Sequence, residues 1–149
     1  MTLIFFSKSE NAQCLALSAI SNVAGVEIAL ALANEVAKLL CSPNSRAIVK
    51  KKGALCMLRL FRRTSECISA EDWAVKLVNL IDDRNTAVVM TVLTLLGGIC
   101  SVSSEGYESA VPRVVRLLTK VIINRDYVKD YVYANVPCPW LQVLLLFYC

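Results

Sequence analysis

Between Arg46 and Arg63 the chain carries seven basic residues and no acidic one: Arg46, Lys50, Lys51, Lys52, Arg59, Arg62 and Arg63. Wound into a helix, Lys52, Arg59 and Arg63 fall nearly on one line, as do Arg46 and Lys50. A second basic stripe is Arg113, Arg116 and Lys120. Residues of this type and spacing attract anions. A cytoplasmic-leaflet lipid surface gains about 1 kcal/mol from each Lys or Arg held near it. Nucleic acid would use the same charges, but no aromatic array is interleaved with them for base stacking, so no nucleic-acid partner is expected. The competing reading is the solvated ridge of an amphipathic helix. Lys50, Lys51, Lys52, Arg59, Arg62 and Arg63 are the candidate contacts to an anionic surface or a partner.

Catalytic chemistry is harder to find. The chain has no histidine, so the commonest general base, metal ligand and near-neutral pH switch is missing. Seven cysteines (Cys14, Cys41, Cys56, Cys67, Cys100, Cys138 and Cys149) are scattered without a C-x-x-C pair. They read as small buried hydrophobes in a reducing compartment, not as a disulfide frame or a zinc site. A thiol nucleophile would lack the histidine that usually activates it. Asp82-Asp83 could hold a cation, but adjacent carboxylates between helices read as a solvated turn. Gly97-Gly98 lies in an apolar run with nothing basic after it, which fits close helix approach and not a phosphate cradle. No phosphate-loop, dinucleotide, zinc-protease or serine-hydrolase motif occurs. The expectation is a non-enzyme with no catalytic, cofactor-binding or metal residues.

The 149 residues amount to one ordinary domain, 56% hydrophobic and 19% charged, with mean hydropathy +0.55. Disorder is excluded, since ample apolar surface offsets the ordering entropy. The apolar share exceeds the usual ~45–50% of a self-contained globule. Either the chain contacts membrane or it is part of something larger. A net charge of +4 is too small to argue for any partner by itself. Met1–Phe6 lacks the basic start and the apolar length of a targeting signal. Together with the cysteine usage and the lack of an N-x-S/T site, this favours the cytoplasm. Two long charge-free stretches, 85–104 and 131–149, raise the question of a membrane span. Pro137 and Pro139 break the second. The apolar part of the first, Ala87–Cys100, has the length of a buried core helix, with a membrane-embedded protein as the alternative.

These residues must be positioned by helices. Apolar residues recur at three- and four-residue steps, and no sustained strand period appears. Helices are predicted at 11–24, 27–41, 45–63, 71–81, 86–101, 107–123, 127–135 and 140–149. Gly25, Ser42-Pro43-Asn44 and Asp82-Asp83-Arg84-Asn85 punctuate them, and Glu71 and Asp72 suit a first turn. Pro112 either kinks the sixth helix or marks its first turn. A shift of 38 residues superposes Ala16 on Ala54 and Val92, Leu17 on Leu55 and Leu93, Ile20 on Leu58 and Leu96, and Val23 on Phe61 and Ile99. Leu39 falls on Leu77 and Val115. A lone helix pair cannot bury its apolar face, so repeated pairs must stack. The expected class is all-α, an α-solenoid of the HEAT or armadillo kind spanning 1–149, with a closed bundle as the alternative. The apolar ending Leu144–Cys149 reads as part of a longer trunk, because a free-standing solenoid needs a polar cap.

Several runs resemble the adaptin family. The stretch 49–60, VKKKGALCMLRL, is similar to that family's V-K-x-x-A-A-L-C-L-L-R-L helix. Asp72-Trp73 followed by VNLIDD at 78–83 resembles its D/E-W…V-x-L-L-N-D stretch. Residues 12–23, AQCLALSAISNV, resemble L-A-L-x-x-I-A-N-V. DYVY at 130–133 with VPCPWL at 136–141 resembles D-Y-T-Y-Y-x-V-P-x-P-W-L, in the form of the alpha type of the plasma-membrane complex. The resemblance implies a non-enzymatic large subunit of a heterotetrameric clathrin adaptor, linking clathrin and membrane cargo in endocytosis. It implies a trunk that embraces a small sigma-type chain, assembles with a second large chain and a medium chain, and docks on phosphoinositide-rich cytoplasmic membrane. The family's best-known lipid-binding cluster lies before the matched region, so the basic helix inherits no role from it. Residues 1–10 depart from the family pattern, and the stretch after Trp140 lacks expected basic residues, as in a truncated or divergent product. A helical-repeat scaffold unrelated to traffic is the remaining alternative.

Overall fold

Side chains that satisfy orphan backbone groups fix two of the helix starts among the described residues. Asn85 Oδ1 accepts from the amides of Ala87 and Val88 at 3.0 and 3.2 Å and starts one helix. Ser9 Oγ accepts from the amide of Ala12 and starts another. The computed structural model describes residues 7, 9–103 and 105–148, with backbone alone at 70 and 71. Among these are seven α-helices: α1 Glu10–Val23, α2 Val26–Cys41, α3 Ala47–Arg63, α4 Ala70–Ile81, α5 Thr86–Cys100, α6 Val111–Ile122 and α7 Pro139–Leu146. Most of segment 1–10, and the ending at Cys149, lie outside the described residues. Pro112 sits in the first turn of α6, after a 3₁₀ turn at Glu108–Ala110, where its missing amide has no helical partner to lose.

One predicted helix is not there. Residues 127–135 form a 3₁₀ turn, Lys129–Tyr131, and the first strand of a small antiparallel ribbon, β1 Val132–Tyr133 paired with β2 Val136–Pro137. Ala134 and Asn135 both take positive φ, 48° and 64°, the pattern of a two-residue hairpin turn whose twist matches its strands. Aromatic and β-branched residues at 131–133 and 136 favour extended chain, and Pro137 cannot continue a helix.

The helices stack in two rows, as an α-solenoid. α1, α3, α5 and α7 follow one another in the first row; α2, α4 and α6 form the second. Side-chain bonds pair Ser18 with Lys52 and Asn22 with Arg59, so α1 and α3 run in the same direction. α3 touches α1, α2 and α5 and buries Val49, Ala54, Cys56, Met57, Leu60 and Phe61. Glycines permit these approaches. A Cβ on Gly98 of α5 would strike the Leu58 side chain, and one on Gly53 of α3 would lie 3.4 Å from Leu40 Cβ of α2. The close helix approach expected at Gly97-Gly98 is therefore present.

α5 buries Val88, Val89, Val92, Leu93, Leu95, Leu96 and Ile99 among α3, α4 and α7, which explains its lack of charge. Its 15 residues extend only ~22 Å, against ~30 Å of bilayer hydrocarbon. Among the described residues no helix is long and apolar enough to cross a membrane, so Ala87–Cys100 is a covered core helix.

The repeat holds with a correction to its columns. Ala16, Ala54 and Val92 are all buried, as are Ile20, Leu58 and Leu96. Leu17 and Leu93 are fully buried, but Leu55 is 43% exposed, on the rim of a groove whose floor includes Leu17. Val23 is exposed at the end of α1, and Ala24 is buried in its place. In the second row the buried column is Leu40, Leu77 and Val114, spaced by 37, one residue from the expected Leu39 and Val115. Apolar neighbours at 39–40 and 114–115 make the two registers indistinguishable by hydropathy alone.

This arrangement separates equivalent leucines by cost. Leu93→Ala is expected to lower unfolding free energy by about 2–5 kcal/mol, and Leu55→Ala by less than about 1 kcal/mol. Urea titration of the two variants measures both; equal losses would contradict the register.

Candidate functional site

The cations at the start of α3 sit where they are disfavoured, since the positive end of a helix dipole repels Arg46 at its cap and Lys50 in its first turn. Both find acids. Arg46 Nε lies 2.6 Å from Glu10 Oε1, and Lys50 Nζ donates to Asp83 Oδ2 at 2.8 Å with both side chains largely buried. Lys50 is thus a tie between α3 and the turn before α5, not a free contact to an outside anion.

The structure divides the other candidates. Lys52 Nζ donates to Ser18 Oγ and Arg59 Nη1 to Asn22 Oδ1, each at 3.0 Å, so both cations fold back against α1. Their acceptors are neutral, and their charge is uncompensated there. Arg62 and Arg63 are exposed in the last turn of α3, where the dipole favours cations. Ser21, Arg59, Arg62 and Arg63 line a cleft of about 280 Å³. An adjoining cleft of about 250 Å³ is lined by Lys52, Arg59, Ser18, Ser21, Asn22, Leu17, Leu55 and Cys56. They share Ser21 and Arg59, and no carboxylate lines either. Lys52, Arg59, Arg62 and Arg63 are brought together; Lys51 is half-buried and lines neither cleft.

The second basic stripe is largely neutralised. Arg113 pairs with Asp82, and Lys120 lies 3.3 Å from Asp126. Asp82 and Asp83 each engage a cation from another helix, so the turn locks helices together. Burial pushes the Cys56 thiol up to about 12 and Cys67 up to about 11, away from the thiolate a nucleophile needs. Sequence reasoning missed the Lys50–Asp83 pair, whose members are 33 residues apart, and the bond from Tyr148 Oη to the Leu93 carbonyl. The only sequence signal for the first was a basic triplet at a helix start with no acid of its own.

Asp83 carries a pH signature. Burial raises its carboxyl, but the Lys50 hydrogen bond, the Asn85 amide at 2.9 Å and the Lys50 charge outweigh this and hold it below the usual carboxylate value. A lowered folded value means that the stabilisation is complete above the unfolded value of about 3.9 and is lost as pH falls through the folded one. Asp83→Asn is expected to cost about 1–3 kcal/mol at neutral pH, with the difference from the parent shrinking as pH falls through the folded value. Denaturant titrations of both chains across this range test it; a constant difference would contradict it.

Comparison with known proteins places these features in context. The family described as Adaptin N terminal region matches residues 5–148, beginning inside the segment expected to diverge. The chain is 39% identical over 136 residues to the AP-2 complex subunit alpha-1 of Arabidopsis thaliana, covering 91% of this chain and 13% of that protein. It is 40% identical over 140 residues to the AP-2 complex subunit alpha-2 of Dictyostelium discoideum, covering 94% of this chain and 14% of that one. It is 30% identical over 135 residues to the AP-1 complex subunit gamma of Dictyostelium discoideum, covering 89% and 14%. The chain therefore spans about one-seventh of the length of these curated relatives.

Proposed function

The chain belongs to the adaptin family, and from that premise we propose that it is a length of non-enzymatic trunk from a clathrin adaptor large chain, acting in vesicle-mediated intracellular protein transport. The higher identity to AP-2 alpha subunits than to an AP-1 gamma subunit supports clathrin-dependent endocytosis as the pathway. Its place is then cytoplasmic, peripheral to the plasma membrane at coated pits. Its partners are a small sigma-type chain, a second large chain and a medium chain.

The observation that carries this reading is a repeat stack whose polar groups serve packing while apolar side chains remain on its outside. Asp82 and Asp83 bind helices together, and burial pushes up the thiols of buried Cys56 and half-buried Cys67, away from the reactive thiolate. Val111, Val115 and Ile122 are exposed on α6, and Val26 and Leu30 on α2. A second-row surface of this kind suits association with other chains.

Co-expression with a small sigma-type adaptor chain, followed by size-exclusion chromatography, tests the proposal. The two chains are expected to co-elute. Separate elution, with this chain helical by circular dichroism, would contradict it.

A further inference from the structure

We propose that the groove between α1 and α3 recognises an acidic segment of a protein partner phosphorylated on serine or threonine. The charge is available: Lys52, Arg59, Arg62 and Arg63 have no acidic partner among the described residues, whereas Arg46 and Lys50 do. The shape fits a phosphate group. Three guanidinium groups and the Ser21 side chain surround one cleft of about 280 Å³. Planar guanidinium forks bind phosphate oxygens in pairs, and clusters of arginine are a recurring way to read phosphorylated motifs.

The adjoining cleft extends this site along the helices. From Lys52 to Arg63 the groove is roughly 16 Å long at 1.5 Å per residue, room for about five residues of extended peptide. Leu55 offers an apolar contact at the rim, while Ser18, Ser21 and Asn22 bond within the protein and line the groove without adding negative charge. Lys52 and Arg59 are exposed but tied to Ser18 and Asn22 of α1, so half of the charge lies along the groove instead of reaching away from it. A flat bilayer calls for cations that project outward, whereas a narrow chain can enter such a groove.

The test uses the whole chain and a fluorescein-labelled acidic peptide carrying two phosphoserines, with its unphosphorylated twin. Vesicles of phosphatidylcholine and phosphatidylserine form the third arm. Fluorescence anisotropy is expected to show the phosphopeptide bound at least about tenfold more tightly than its twin. Arg62→Gln with Arg63→Gln should weaken it about tenfold or more. Arg62→Lys with Arg63→Lys should keep the binding of the twin but lose most of the preference for phosphate. Circular dichroism verifies that both variants remain folded. Equal affinity for the two peptides, no change in the glutamine variant, or arginine-dependent binding to vesicles alone would each overturn the proposal.

Discussion

The burial of α3 against α1, α2 and α5 is the constraint from which the rest of the structure follows. Seventeen residues must lose contact with water on three sides while carrying six of the chain's sixteen basic groups, with a seventh, Arg46, at the cap. Small residues make this workable. Ala54 and Gly53 lie on the packed faces, Gly98 of α5 leaves room for Leu58, and the backbone of α3 comes close to Leu40. A glycine inside a helix costs up to about 1 kcal/mol relative to alanine, which close packing of neighbouring leucines offsets.

With its apolar faces covered, α3 can place charge only at its rims, and the two rims differ. Near the start the helix dipole opposes cations, so Arg46 and Lys50 reach acids on α1 and on the turn before α5. Further along, the neighbour is α1, whose facing side chains are Ser18, Ser21 and Asn22. These satisfy hydrogen bonds without cancelling charge. The groove is therefore a product of solenoid stacking, in which parallel first-row helices set a basic edge beside a neutral polar one.

Much of this was legible from residue types. Seven of the eight predicted helices exist, because Asn85, Pro43 and Gly25 act through local backbone geometry that travels with the sequence. The missing one, 127–135, had helical apolar spacing, but its turn needs left-handed backbone at Ala134, a residue that does not advertise it. The columns of the repeat were legible to within a residue. Leu39 and Leu40 are chemically alike, and only packing decides which of them is fully buried. The candidate site was legible as a run of charge but not as a site. Which of Lys50, Lys51 and Lys52 faces a groove depends on Asp83 and Ser18, residues more than thirty positions away.

The central claim is that α3 and α5 form the jointly buried axis of the stack, with α7 and the β ribbon added at its edge. Native-state hydrogen exchange measures this directly, since amides in the most deeply packed elements exchange only through global unfolding. Amides of α3 and α5 should share the highest protection, equal to the global unfolding free energy, while those of α7 and the ribbon exchange through smaller openings. If α3 exchanged as readily as α7, its burial would not be what holds the stack together.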